Sequence, residues 1–131
     1  MTRREMEQKI ALFCRLNPNS KQGFHIIFGV DDHLKYRFVM EQKGMNIDFA
    51  LSMPGSLIDE EVDKEYLRYM VLAMANIGMD MIQDRKAAIN EGHVDKNWRK
   101  FYNRAIASHM YLCKKMGDMA VEAGVKTNFA I

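Results

Sequence analysis

At 131 residues, with 48% hydrophobic and 27% charged residues and a formal net charge of +2, the chain has the composition of one globular domain and not of a disordered or fibrous segment. Its length suffices for a core that needs neither disulfides nor a structural metal, and two cysteines 99 positions apart, Cys14 and Cys113, exclude a disulfide framework or a CxxC metal knuckle. Each cysteine lies among apolar residues on a predicted helix, so buried, reduced thiols are expected.

Thr2-Arg3-Arg4-Glu5 has the form of a capping box, and Met6, Ile10, Phe13 and Cys14 recur behind it at helical spacing. A helix over 1–17 is predicted, ended by Asn17-Pro18-Asn19. Three alternating sets follow: Phe24, Ile26, Phe28 and Val30; Leu34, Tyr36, Phe38 and Met40; Met45, Ile47, Phe49 and Leu51. Each set belongs on one face of a strand. The links at Asp31-Asp32 and Lys43-Gly44 are too short for a crossover, which predicts an antiparallel three-stranded meander over 23–52 with one apolar face. Three strands are marginal alone, so a helix must cover that face.

Met53-Pro54-Gly55 breaks the last strand, and Ser56-Leu57-Ile58-Asp59 reads as the N-cap of a long helix over 57–91. Asp59, Glu60, Glu61, Asp63 and Glu65 would then crowd its first turns, where acids complement the helix dipole; solvation and capping explain them better than a metal or acid–base site. Between Tyr66 and Ile82 the clearly polar side chains are Arg68, Asn76 and Asp80, which fall on one narrow stripe. A helix so apolar must be covered on several faces. The run is about one turn short of a membrane span and carries two charges that are expensive in hydrocarbon. With no apolar leader behind Met1, a soluble, cytoplasmic protein with no membrane partner is expected.

Asn90-Glu91-Gly92-His93 should end this helix and Asp95 should cap a last one over 95–124, with Trp98, Phe101, Tyr102, Ala105, His109, Leu112, Cys113, Met116 and Ala120 inward and Gly124 as C-cap. The two helices form an antiparallel hairpin. A single long helix outruns strands of about 25 Å, which predicts either a break near Gly78 or Gly92 or a second subunit on the overhang; the second subunit is the preferred expectation. A tail, 125–131, carries Phe129 and Ile131 and could dock on the body or on a neighbour. The fold class is therefore α+β: helix, three-stranded antiparallel meander, helical hairpin.

The order helix, three strands, helix over Met1 to Asn90 is similar in topology to a double-stranded RNA-binding domain. That family grips phosphates with a lysine-rich turn at its second helix, where this chain has Asp59, Glu60, Glu61 and Asp63, so the resemblance is one of topology alone.

No signature fixes a chemistry. His25, His33, His93 and His109 make no HxH, HxxxH or HExxH pattern, no cofactor loop is present, and neither metal nor cofactor is expected. The leading reading is a non-enzymatic binding or regulatory protein, a homodimer or partner of another protein through Tyr66, Tyr69, Met70, Met74, Ile77 and Met81. Twelve methionines suit either a plastic core or an adaptable binding surface. The alternative is nucleic-acid binding. Residues 85–115 hold 8 Lys or Arg against 2 Asp or Glu, and Arg85, Lys86, Lys96, Arg99, Lys100 and Arg104 are interleaved with Trp98, Phe101 and Tyr102. A third reading pairs His109 with Asp80 or Asp84 across the hairpin as a small enzyme. Small size without a familiar signature is compatible with an accessory protein of a phage or other mobile element, though no residue argues for it.

Overall fold

The computed structural model describes residues 1–53, 59–92 and 95–126. Helix α1 (Arg3–Arg15) is followed by a 3-10 turn (Pro18–Gln22), strands β1 (His25–Val30), β2 (Tyr36–Gln42) and β3 (Met45–Ala50), and helices α2 (Lys64–Asn90) and α3 (Lys96–Glu122). This is the α+β layout expected from the alternating and helical periodicities.

Local chemistry accounts for the ends of these elements. The Thr2 hydroxyl accepts from the Glu5 N–H at 3.1 Å while the Glu5 carboxylate accepts from the Thr2 N–H at 3.4 Å, completing the capping box of α1. Lys43 and Gly44 both have positive φ, 49° and 83°, the two-residue turn whose twist matches a hairpin. Asp95 caps α3 by accepting from the N–H groups of Asn97 and Trp98. At the other end of α3 the Gly124 N–H reaches the Val121 carbonyl and the Val125 N–H the Ala120 carbonyl, a Schellman closure with Val125 buried beneath it.

The start of α2 differs from the sequence expectation. Ser56, Leu57 and Ile58 lie outside the described residues, and Asp59 to Val62 are not helical. Asp63 is the N-cap, accepting from the Tyr66 N–H at 2.7 Å. The acids before it serve a different helix. The Arg3 N–H donates to the Glu60 carbonyl, the Val62 N–H donates to the Met1 carbonyl, and Asp59 Oδ1 accepts from the Arg4 N–H at 3.0 Å. The amides at the start of α1 have no partner within their own helix, and an extended acidic strand satisfies them from outside. An acidic segment at a helix N-terminus was the right physics; the helix was α1.

The sheet order is β1-β2-β3, antiparallel throughout. Its register places Phe28 opposite Phe38 and Phe38 opposite Phe49, so three rings stand in one row with centroids 5.0 and 5.2 Å apart. The row continues into α3, where the Phe49 ring meets the His109 ring at 5.6 Å. Below it, Phe24 packs on Phe101. Sheet, α1 and hairpin thus share one core containing Met6, Ile10, Phe38, Met40, Leu51, Met74, Leu112 and Met116.

Helix α2 runs unbroken through Gly78. At 27 residues each, α2 and α3 span about 40 Å, against about 20 Å for strands of six or seven residues. Gly92, at φ 92°, ends α2 and does not interrupt it. Replacing Asp63 by Ala should cost about 1 kcal/mol in chemical denaturation, since Asp63 is the side chain that caps α2. Asp59→Ala should weaken the start of α1 instead, read as faster amide exchange at Arg4.

Candidate functional site

Between α2 and α3 lies a groove of about 770 Å³ lined by residues that include Ala75, Gly78, Met79, Met81, Ile82, Ile106, His109, Met110, Cys113 and Gly117. Helical spacing builds it. Ala75, Gly78, Met79 and Ile82 follow one edge of α2, and Ile106, Met110, Cys113 and Gly117 follow the facing edge of α3. Small residues hold the floor low while methionine and isoleucine form the walls, and the Lys114–Asp118 ion pair lies on the rim.

His109 sits at the bottom. A Cβ on Gly78 would come within 2.9 Å of its Cε1 and Nδ1, so the absent side chain is what lets the imidazole enter the helix interface. The ring hydrogen-bonds the Met74 carbonyl, and Nδ1 lies 3.4 Å from Cys113 Sγ, one helical turn along. A neutral imidazole suits both neighbours, donating an N–H to the carbonyl while the thiol packs beside the ring. Burial pushes the imidazole pKa down to about 4, opposed by the Met74 carbonyl. Burial likewise raises Cys113 to about 11 and Cys14 to about 12. Both thiols are buried and reduced, as expected.

The proposed histidine–aspartate pairing does not form. Asp80 is exposed on the outer side of α2, and no hydrogen bond joins it to His109 among the described residues. Asp84 is directed elsewhere, toward Tyr102, whose phenol it helps burial to raise. Of the other histidines, His25 and His33 are exposed and His93 lies outside the described residues.

The six residues proposed for association separate into two groups. Met70, Met74 and Met81 are buried within the chain's own core, because their side of α2 is the one that α3 covers. Tyr66 is half-buried; its hydroxyl accepts from the Arg3 guanidinium at 3.3 Å, beside Tyr36, whose hydroxyl in turn donates to Glu7. Ile77 is half-buried, and Tyr69 alone of the six is exposed. Other apolar groups occupy the open face of the hairpin: Leu72, Met79, Ile82 and Met110. Their outward position was not legible from composition, since Met79 and Met81 differ by only two residues.

The basic residues collect at the far end of the hairpin. Lys86, Lys96 and Lys100 are exposed. Arg85 donates to Asn103 at 2.9 Å and Arg104 to Gln42 at 3.1 Å; both bonds are to neutral groups. Arg99 is half-buried, its Nε without a partner among the described residues. Phe101 and Tyr102 are core residues, and Trp98 stacks on Tyr102 at 4.7 Å, so the aromatic interleaving belongs mostly to packing. Polar contacts that the sequence did not suggest fix this region: Asn17 and Asn19 donate to the carbonyl and hydroxyl of Ser108. Among the described residues no cluster of three His, Cys, Asp or Glu could hold a metal, and no helix is long and apolar enough to cross a membrane.

The chain matches no family model, no curated protein and no solved structure.

His109 makes stability fall with acid. Its folded pKa of about 4 lies below the ordinary imidazole value of 6.5, so the unfolded chain binds the extra proton between these values and stability drops as pH falls through that window. The loss should reach about 2 kcal/mol by pH 5 and level off below pH 4. Nitrogen-detected NMR should find the His109 ring still neutral at pH 5.

Proposed function

We propose that this protein acts without catalysis, by protein–protein association, and that its first partner is a second copy of itself held through the helical hairpin. One observation carries the reading. The outer side of the hairpin retains Tyr69, Leu72, Met79, Ile82 and Met110 at exposures of 61, 37, 59, 43 and 63%. Along α2 the residues Tyr69, Leu72, Asn76 and Met79 fall at steps of three, four and three, the spacing of a seam that takes a facing helix. Burying a large apolar side chain contributes about 1.5–3 kcal/mol, so four or five of them form the energetic centre of an interface. Unbranched thioethers at its middle adapt to a partner's shape. The buried Met70, Met74 and Met81 support the surface from beneath, and Asn76 supplies a polar group that would fix register at a cost in stability.

Light scattering coupled to size exclusion tests this. The wild type should run as a dimer whose mass is insensitive to salt, and Leu72→Glu with Met79→Glu should give a monomer with unchanged helical circular dichroism. A wild-type monomer at the highest concentrations measured would sink the reading.

A second reading is favoured by one specific feature: Arg85, Lys86, Lys96, Arg99, Lys100 and Arg104 form no ion pair among the described residues. Uncompensated cations at one end of a hairpin are a footprint for nucleic-acid phosphates. In fluorescence anisotropy with a labelled single strand, this reading expects tight binding at 50 mM salt that weakens steeply by 200 mM. No binding at low salt removes it.

A further inference from the structure

The outward seam of α2 extends beyond its apolar centre. Glu65, Tyr69, Leu72, Asn76, Met79, Gln83 and Lys86 follow one another at alternating steps of four and three, and every one of them is exposed. They form a heptad stripe along most of the helix. Its two halves are unlike. The first half borders a hollow of about 590 Å³ whose lining includes Met53, Tyr66 and the carboxylate residues Asp63 and Glu65. Tyr69, Leu72, Ala73 and Asn76 line it too; they stand at i, i+3, i+4 and i+7, the diamond on a helix surface that receives one side chain of a facing helix. The second half presents the exposed thioether of Met79 and ends on Lys86, which forms no ion pair among the described residues.

From this division we infer that two copies join through α2 in antiparallel register about a two-fold axis at Asn76, each placing its Met79 in the other's hollow and its Lys86 beside the other's Asp63 and Glu65. The inference rests on the association reading and specifies its geometry. Charge chooses the direction. Parallel helices would set Glu65 against the partner's Glu65 and Lys86 against the partner's Lys86. Antiparallel helices pair positions on opposite sides of Asn76, so Glu65 meets the partner's Lys86, Tyr69 the partner's Gln83 and Leu72 the partner's Met79. One rotation makes each contact twice, filling both hollows and both ion pairs. Glu65 already accepts from Arg68 in its own chain, but a carboxylate has about four lone-pair sites, and Asp63 adds a second acid. On the axis the two Asn76 amides face each other, where each can donate to the other's oxygen and a slipped register would leave them unpaired. An unrelated partner would not require one half of the stripe to complement the other. A second copy does.

The test measures direction and charge pairing in the full chain. A nitroxide is placed at the exposed end of α2 through Asn90→Cys, with mass spectrometry confirming one label per chain, since Cys14 and Cys113 are buried. Pulsed electron resonance should find the two labels of a dimer about 40 Å apart, at 1.5 Å per residue on either side of Asn76; parallel helices would hold them roughly 10 Å apart and broaden the continuous-wave spectrum. In sedimentation equilibrium at low salt, Glu65→Lys and Lys86→Glu should each raise the dimer dissociation constant about tenfold, and the double variant should return it to the wild-type value. Both positions are exposed, so circular dichroism should be unchanged. A short label distance, or a double variant no tighter than the single ones, in a protein that still dimerises overturns the register and leaves association standing. A wild-type monomer overturns both.

Discussion

The imidazole of His109 is the point through which the three layers of this protein are joined. It belongs to α3, enters α2 at the gap left by Gly78, hydrogen-bonds the Met74 carbonyl and meets the Phe49 ring of β3. Through Phe49 it continues the row of rings that crosses the sheet to Phe28. A polar ring in such a place is tolerated only when neutral and hydrogen-bonded. Its depressed pKa and its two partners are therefore two aspects of one packing requirement. Gly78, which costs helix stability relative to alanine, is kept inside an unbroken helix because nothing larger admits the ring.

That close approach also shapes the surface. Where α2 and α3 pack through Ala75, Gly78 and Gly117, the backbones draw near and the longer side chains on either side stand up as walls. The hairpin outruns the sheet, so part of its apolar perimeter has no layer of its own chain over it. The same helix thus completes the core with Met70, Met74 and Met81 and presents Tyr69, Leu72 and Met79 outward. In the groove between the helices the small residues are inside and the thioethers border them.

The remaining polar groups mostly fix elements in place. Asp59 and the Glu60 carbonyl satisfy the open amides of α1, Asn17 and Asn19 tie the 3-10 turn to Ser108, and Arg104 joins the hairpin to Gln42 at the end of β2. Each bond links segments distant in sequence. They set how the helices lie on the sheet, which apolar burial alone, having no direction, leaves loose.

Periods of 2 and 3.6 made the meander, the hairpin, the Thr2–Glu5 capping box and the Asp95 cap legible in the sequence, because these depend on residues within a turn or a strand of one another. The inward position of His109 and Cys113 was legible for the same reason. What the sequence could not decide was which of several helical faces each methionine of α2 occupies, since a helix apolar nearly all round has no dominant direction; only packing against α3 turned Met74 and Met81 in and Met79 out. Nor could it show that Asp59 and Glu60 would cap α1 and not α2, because both helix starts offer the same unsatisfied amides. That choice, and the seating of His109 on Gly78 with Asp80 left in solvent, depend on residues brought together across the chain, and tertiary structure alone decided them.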